Sequence, residues 1–351
     1  MAAIEGSPLT RRTVLTGAAA LLAAGITAAP GRAGASGAAP SIRSAAARGG
    51  ELLALTADGE AAEPYAIRRF TVEDDGCVSL GERLPVDLPA GFHPHSMAAR
   101  GEALWVTGAV DELVKTVTVD NRSDPLSEFG ASTDPGEADP ALPDGVVDID
   151  VYRARPALLR LQGDRSAFAE LSVPAQIRSG AATAVALPGR RGLAVAIEGC
   201  PDADLAMITR SHLAFSADDG RTWRHVPLAE GLGEGYGTVL AATGDRLVAV
   251  TADGTGTQTM RSGSILRSGL ELVATEDGAG RPMAAVPTAD GEVSVFSDRD
   301  GKVSESRFGH SGRVNESPGT ECGCAGEVVA IRGRTGAWLE LDADTVRARG
   351  L

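Results

Sequence analysis

Two short stretches bring metal-binding side chains together along the chain: Phe92-His93-Pro94-His95-Ser96-Met97 and Cys322-Gly323-Cys324. Imidazole, thioether and thiolate together suit copper, and in an extended segment the His93 and His95 side chains share one face. One reading of His93, His95, Cys322 and Cys324 is therefore a metal site in a copper or redox accessory protein. The plainer reading makes Phe92–His95 an ordinary loop leading to a central face. The four cysteines (Cys77, Cys200, Cys322 and Cys324) then form disulfides, as they usually do in exported chains. Of the three pairings, a bond from Cys77 or Cys200 to one of Cys322 and Cys324 is favoured, because it would fasten the end of the chain. Asp144, Asp148 and Asp150 offer hard oxygen ligands for Ca²⁺, although their spacing fits no EF-hand loop. The nucleophile motif G-x-S-x-G, the zinc pair H-E-x-x-H and phosphate-binding glycine loops are missing. The sequence implies no resident cofactor, with calcium and copper as the open options.

Charge and composition narrow the partners. The 351 residues carry 33 Lys and Arg against 47 Asp and Glu, a net charge of −14. Nucleic acid and anionic membranes both require a basic surface, so neither is an expected partner. Apolar residues make up 43% of the chain, enough to build a core. Its 44 glycines exceed the usual share of about 7% and point to many turns.

The segment from Ser7 to Ala35 pairs Arg11 with Arg12, follows with an apolar stretch from Val14 to Ile26, and ends in Ala33-Gly34-Ala35. That stretch is too short for a spanning helix, which needs about 20 residues, and its layout is that of a signal peptide. The arginine pair before Val14-Leu15 resembles the twin-arginine (Tat) export signal, which carries proteins folded before export. No cysteine follows the cleavage region, so a lipoprotein is not expected. Cleavage after Ala35 would leave 30 basic and 46 acidic residues. The mature chain is expected to be acidic, outside the cytoplasm (secreted or in the cell envelope), and without a stable transmembrane segment.

Those residues must be positioned by strands, because one short alternating pattern ending in a Gly or Asp-Gly turn occurs six times. The copies begin at Glu51, Glu102, Gly192, Asp245, Glu292 and Glu327, at spacings of 51, 90, 53, 47 and 35 residues. Period-2 alternation bounded by Gly and Asp signals strands and hairpins. The long gap contains Asp120 to Asp150, with nine acidic residues and four prolines, which reads as an inserted loop. Without it, a period of about 40–50 residues matches β-propeller repeats. The expected fold is an all-β, six-bladed propeller, or a seven-bladed one if the stretch from Tyr152 to Val173 is its own blade; a two-sheet sandwich is the competing architecture. The expected layout is a signal peptide over 1–35, a linker over 36–48, and the propeller over 49–351 with an acidic insertion at about 110–150. In the clearest unit, Ala182–Leu187 should be innermost, Leu193–Ile197 second, His212–Ser216 third and Arg224–Leu228 outermost. Ser41–Arg48 falls short of a full strand, so closure is expected to borrow strands from both chain ends.

The segment Phe215-Ser216-Ala217-Asp218-Asp219-Gly220-Arg221-Thr222-Trp223 matches S-x-D-x-G-x-T-W at every specified position. It resembles an Asp-box, or BNR repeat, of the sialidase-like propellers. The resemblance implies a structural role for Ser216, Asp218, Gly220, Thr222 and Trp223 at a turn joining the third and fourth strands, away from the active face. Thr251-Ala-Asp-Gly254 and Ser297-Asp-Arg-Asp-Gly301 are partial copies that follow second strands. A working sialidase would also carry an Arg-Ile-Pro, three arginines for the substrate carboxylate, an aspartate acid/base and a late tyrosine nucleophile paired with a glutamate. Tyr65-Ala-Ile-Arg68-Arg69 is the nearest text to Arg-Ile-Pro, and neither Tyr65, Tyr152 nor Tyr236 lies late in the chain. The expected function is non-catalytic binding or scaffolding by a monomer, toward a glycan or another exported protein, with the ligand at the central channel. A sialidase-like exo-glycosidase is the enzymatic alternative. Replacing Arg11 and Arg12 with lysine should hold the precursor in the cytoplasm, as read by cell fractionation; undiminished export would contradict the twin-arginine route.

Overall fold

Each alternating segment forms a strand, and most of the Gly- or Asp-containing breaks form tight turns. The computed structural model describes residues 41–57, 65–120, 146–163, 165–171, 176–177, 183–188, 191–199, 210–230, 237–244, 246–264, 269–309, 312–313, 320–321, 326–342 and 345–351. All regular structure among them is β. The first sheet holds β1 (Ser41–Arg48), β2 (Glu51–Ala57), β3 (Tyr65–Val72) and β4 (Val78–Arg83). The second holds β5 (Phe92–Arg100), β6 (Ala103–Asp120), β7 (Val146–Gln162) and β8 (Arg165–Glu170), with β9 (Gln176–Ile177) also pairing with β7. The third holds β10 (Thr183–Ala186), β11 (Leu193–Gly199), β12 (Arg210–Ser216) and β13 (Arg224–Glu230). The fourth holds β14 (Gly237–Thr243), β15 (Arg246–Ala252), β16 (Gln258–Gly263) and β17 (Glu271–Glu276). The fifth holds β18 (Arg281–Pro287), β19 (Val293–Arg299), β20 (Lys302–Gly309) and β21 (Gly312–Arg313), with β22 (Thr320–Glu321) also against β20. The chain ends in β23 (Glu327–Arg332), β24 (Trp338–Leu341) and β25 (Val346–Arg349).

Consecutive strands pair antiparallel within each sheet, and β23 pairs in parallel with β1 at Ala45↔Ile331 and Ala46↔Arg332. The first strands close a ring: β1 packs on β5, β5 on β10, β10 on β14, β14 on β18, β18 on β23, and β23 on β1. Early residues meet early residues around it. Met97 N donates to Ser44 Oγ (2.9 Å), Ala184 N to Ser96 Oγ (2.8 Å), and Thr183 Oγ1 to Thr238 O (3.2 Å). The amino-terminal ends of these strands therefore gather at one mouth of the ring. At the opposite end Gly49 N donates to Gly101 O (2.8 Å) and Gly336 N to Pro287 O (2.7 Å).

Sheets that converge on an axis leave little room there, which explains the alanines. Ala45, Ala46, Ala98, Ala184, Ala241 and Ala285 have no exposed surface, and larger side chains would overpack the ring. Farther out, larger side chains fill the gaps between successive sheets. Leu53, Leu55 and Ile67 meet Met97, Leu104 and Leu159 between the first two sheets, and Ile42 and Phe70 meet Ile331 and Leu339 where the last strands meet the first sheet. This radial arrangement of sheets is of the β-propeller type.

In the clearest unit the strand order β10-β11-β12-β13 agrees with the expected one. Elsewhere the expectations need correction. Residues 41–48, expected to end a linker, form the full eight-residue strand β1. Its small Ser and Ala side chains, which weaken the strand signal, are what the crowded axis admits. Tyr152 to Leu171 is not a separate unit, because it completes β7 and supplies β8 of the second sheet. Of the stretch expected as a loop at about 110–150, residues 110–120 and 146–150 are strand, in a hairpin arm paired from Asp111↔Ala154 to Asp120↔Val146, and 121–145 lie outside the described residues. Cys77 carries a free thiol. It sits beside β25 through a bridge to Arg347, so it joins the chain ends by backbone pairing rather than by a disulfide. Cys200, Cys322 and Cys324 lie outside the described residues.

Two arginines tie the ring at the end opposite the mouth. Arg332 is half-buried and has no carboxylate partner among the described residues, and its Nη1 donates across the ring to Leu240 O (2.5 Å) and Ala285 O (3.3 Å). Burial lowers its pKa to about 10. Arg100 clasps the next sheet, donating to Leu187 O (3.4 Å) and Gly192 O (3.3 Å), pairing with Asp219, and lying 5.2 Å from the centre of the Trp105 ring. Charged hydrogen bonds of this kind contribute about 1.5–3 kcal/mol each. Arg100→Ala should therefore destabilise the fold by about 2–3 kcal/mol, measured by urea unfolding; an unchanged midpoint would show that the clasp is not holding the sheets.

Candidate functional site

The strand starts that gather at the mouth carry charged and polar residues where each strand leaves its apolar run. β1 brings Arg43, β5 brings His93 and His95, β14 brings Thr238, β18 opens on Arg281, and β23 opens on Glu327. The second strands β6 and β11 overrun the starts of their inner neighbours. Their register pairs Phe92 with Val110 and Thr183 with Ala196, so Asp111 and Glu198 extend beyond them. Tyr65 opens β3 on the same side and packs its ring edge-on against His93, with centroids 6.1 Å apart.

The charges alternate around the opening. Arg43 acts electrostatically on His95, Tyr65 and Glu327, and Arg281 acts on Glu327 and Glu198. The Arg281 stem lies over Gly237, where an added Cβ would sit 3.2 Å from its Cγ. From there its charge acts on Glu198. Glu198 is only 2% exposed. Thr238 donates to its carboxyl and exchanges a hydroxyl bond with Ser211 (2.9 Å).

Desolvation dominates the proton affinities here. Burial pushes the Glu198 carboxyl up to about 8, against the hydrogen bonds of Thr238 and the charge of Arg281. Burial likewise raises Glu327 to about 7, opposed by Arg43 and then Arg281. His95 falls to about 4, through burial first and then through His93 and Arg43. Its ring keeps some accessible surface, as a group lining a narrow opening does while protein surrounds it. Tyr65 is raised, again by burial. Near neutral pH the mouth therefore presents two guanidinium groups, a neutral imidazole, a protonated Glu198 and a Glu327 close to its midpoint.

Four buried polar atoms at this mouth have no hydrogen-bond partner: Arg43 Nε, His95 Nδ1, Glu198 Oε1 and Arg281 Nη2. Each such orphan costs about 1–3 kcal/mol when left unpaired, so the gathering of four of them near the strand starts marks where a polar partner would be gained. His93 differs, because its Nε2 lies 3.2 Å from Asp111 Oδ2 in a partly exposed pair that contributes little to stability.

The residues of the S-x-D-x-G-x-T-W segment lie at the opposite end, in the turn between β12 and β13, the third and fourth strands of their sheet. Asp218 Oδ1 accepts from Thr222 N (2.8 Å) and Arg221 N (3.1 Å), while Ser216 Oγ bonds Asp218 Oδ1 (2.7 Å) and accepts from Gly220 N (2.8 Å). Thr222 Oγ1 donates to Asp218 Oδ2 (2.8 Å). These donors hold the Asp218 carboxyl down at about 2. Asp219 and Gly220 take φ of 61° and 87°, and Trp223 packs into the cluster between the second and third sheets. The partial copies after β15 and β19 form local turns, with Asp253 accepting from Thr255 N (2.9 Å) and Asp298 from Gly301 N (2.9 Å).

Of the expected copper ligands, His93 and His95 are at the mouth, whereas Cys322 and Cys324 lie outside the described residues, as do Arg11, Arg12 and Ala35. No group of three or more His, Cys, Asp or Glu side chains among the described residues is arranged to hold a metal ion. Of the expected calcium ligands, Asp148 and Asp150 fall on β7, paired with Thr118 and Thr116, and Asp144 lies outside the described residues. No helix among the described residues is long and apolar enough to cross a membrane. Sequence reasoning missed Arg43, Glu198, Arg281 and Glu327. Their only signal was a charged residue at one end of an otherwise apolar strand, as in Arg281-Pro-Met-Ala-Ala-Val and Glu327-Val-Val-Ala-Ile.

No protein family matches the chain, and no curated protein does. Among solved structures it is similar to a protein of unknown function from Dyadobacter fermentans (13% identity, TM-score 0.48, 88% of this chain and 85% of that one). It is also similar to a Trypanosoma rangeli sialidase (8%, TM-score 0.47, 88% of this chain and 53% of that one) and to an Aleuria aurantia lectin (9%, TM-score 0.46, 89% and 94%). The ring of strands, rather than any of these likenesses, defines the fold.

The raised Glu198 has a consequence for stability. A carboxyl whose folded pKa lies above its ordinary 4.5 stabilises fully below that value, and the contribution is lost as pH rises toward about 8. Between about pH 6 and pH 8 Glu198 alone should remove about 2 kcal/mol. Glu198→Gln, which stays neutral, should shrink the pH-dependent loss by that amount in urea unfolding; an unchanged loss would mean the carboxyl is hydrated.

Proposed function

We propose that this chain is an exported, six-bladed β-propeller of the BNR type, a non-catalytic binding or scaffold protein whose ligand site is the mouth formed by Arg43, His95, Glu198, Arg281 and Glu327. The observation that carries this reading is the set of four unpartnered buried atoms, contributed by four different strands to one opening. A glycan or a polar segment of another exported protein supplies the hydroxyls and carbonyls that such a set lacks. The ring of six first strands supports the blade count, with the last blade built from β23 to β25 alone among the described residues. The paired Arg11-Arg12 leader supports export, and the Ser216 to Trp223 turn supports the BNR assignment.

Binding is favoured over hydrolysis by the state of Tyr65. A tyrosine nucleophile needs a base or a lowered pKa. Burial instead raises Tyr65, and no glutamate contributes to that shift. One observation favours a second reading, a sialidase-like glycosidase: Glu198 and Glu327 both feel Arg281, and paired carboxyls of unequal environment can serve as acid and base.

A screen of the mature chain, residues 36–351, against immobilised glycans and extracytoplasmic protein fractions tests both. Binding should be retained without turnover and weakened about tenfold or more by Arg43→Ala, the loss expected for one charged hydrogen bond. Release of nitrophenol from nitrophenyl glycosides, lost in Glu198→Gln, would replace the binding reading with the hydrolytic one.

A further inference from the structure

An outermost strand presents a row of unpaired backbone groups to solvent, and sheet proteins usually block such an edge against further pairing. Most outer strands here carry a block. β13 contains Pro227, β4 and β17 shift register against their neighbours, β25 carries Arg347 between its ends, and β21 is two residues long. Strand β8, Arg165-Ser-Ala-Phe-Ala-Glu170, has none of these features. It pairs with β7 without a register shift from Ala157↔Glu170 to Gln162↔Arg165, is neutral from Ser166 to Ala169, and is exposed at all six residues. Its other edge has no partner among the described residues.

The bonding direction of β8 decides which of its backbone groups face outward. Leu171 N donates inward to Pro156 O (2.8 Å), and backbone groups alternate sides along a strand. Arg165, Ala167 and Ala169 therefore bond β7, whereas Ser166, Phe168 and Glu170 turn N–H and C=O away from the sheet. An antiparallel copy of the same strand satisfies all three at once. Centred on Phe168, it sets Phe168 opposite Phe168 of the second copy, Ser166 opposite Glu170 of the second copy, and Ala167 opposite Ala169 of the second copy. Each outward-facing pair then exchanges two backbone bonds.

The side chains suit that register. Phe168 remains 39% exposed although its ring meets Phe92 edge-on at 5.4 Å, and pairing gives it an aromatic neighbour on the same face. Ser166 gains a carboxylate acceptor, which in its own chain already pairs with Arg155 (3.3 Å). On the reverse face alanine meets alanine, and no like charges stand opposite one another. The same operation on β17 would bring together the glutamates at its two ends, Glu271 and Glu276.

We propose that β8 is a self-complementary docking edge, through which two copies of this chain pair antiparallel about a two-fold axis at Phe168 and join their second sheets into one. This contact is independent of the mouth. A six-residue edge covers less than the ~800 Å² per partner of a standard interface, so the pair is transient and forms between about 10 μM and 1 mM.

Sedimentation velocity of the mature chain across that range tests the proposal, with a reversible shift from monomer to dimer expected. Phe168→Lys should stay monomeric throughout, because two lysines would face each other. An equimolar mixture of Phe168→Lys and Phe168→Glu should recover the dimer in a salt-sensitive form. Ser166→Pro removes an N–H that faces away from β7, so its own sheet is kept, and it should weaken the dimer about tenfold or more. Far-UV circular dichroism checks the fold of each variant. Amide exchange on the unmodified chain needs no variant: raising the concentration should slow Ser166, Phe168 and Glu170 and leave Ala167 and Ala169 unchanged. Protection that fails to alternate in this way would overturn the register. A chain that stays monomeric to about 1 mM, or a dimer indifferent to Phe168→Lys, overturns the docking edge. If the chain stays monomeric but captures a foreign protein that Phe168→Lys loses, the edge serves another strand and the second copy is ruled out.

Discussion

In four sheets the innermost strand (β5, β10, β14 or β18) is an edge strand, and that one constraint shapes the rest of the molecule. Its backbone groups on the side facing the axis have no ladder partner within the sheet, and burying them bare is costly. The chain supplies side-chain partners instead. Ser44 and Ser96 accept backbone N–H groups from the next strand around, Thr183 donates to the next carbonyl, and Arg332 reaches across the ring to two carbonyls. Small hydroxyl side chains suit this task because they fit where six strands converge. The alanines between them serve the same geometry, and the larger apolar side chains are displaced outward into the gaps between sheets.

This scheme is unequal at the two ends, and the inequality makes the site. At one end Arg332 spans the ring, Arg100 locks the second sheet onto the third, and backbone bonds such as Gly336 N to Pro287 O join neighbouring turns. At the other end the hydroxyl partners stop within the first residues of the strands, and the positions beyond them carry Arg43, Glu198 and Arg281 with atoms left unpaired, and Glu327. Environment then separates chemically similar groups. Asp218, half-buried and ringed by donors, is held at about 2, whereas Glu198, buried with few donors, rises to about 8. The first is a permanently ionised turn fastener; the second is a carboxyl that can exchange a proton near neutrality.

The sequence made the architecture legible because its signal is local and repeated. Alternation from Leu193 to Ile197 and from Leu247 to Val250, closed by Gly and Asp, is enough to place strands, and the run from Ser216 to Trp223 is enough to place one turn type. Strand β1 escaped notice because the small side chains of Ser41-Ile-Arg-Ser-Ala-Ala-Ala-Arg48 weaken the strand signal, although it pairs with β2 along its length and with Ile331 and Arg332 at ring closure. The hairpin arm of β6 and β7 was masked by the acidic and proline-rich composition of the residues between them. The mouth was the least legible part. Arg43, Glu198, Arg281 and Glu327 are spread over nearly 300 residues, and only ring closure brings them together. His93 and His95 were visible as a pair, but their environments diverge once folded: His93 engages Asp111 near the surface, while burial keeps His95 neutral.

Closure by a parallel contact between the first and last inner strands has a further physical consequence for that mouth. Arg43 and Glu327 lie on the two strands of this seam, where pairing is confined to Ala45↔Ile331 and Ala46↔Arg332. Only those two residues of β23, at the end away from the mouth, are tied to β1, so the mouth end of the seam is held by packing and by electrostatic attraction between Arg43 and Glu327. Elsewhere the outer strands of each sheet hang on an uninterrupted chain of hairpins. Among the described residues the seam is thus the one junction between first strands that carries backbone pairing, and that pairing ends short of the site. At its mouth end the seam is bordered by Glu327 and Arg43, whose charges act on each other across the two strands.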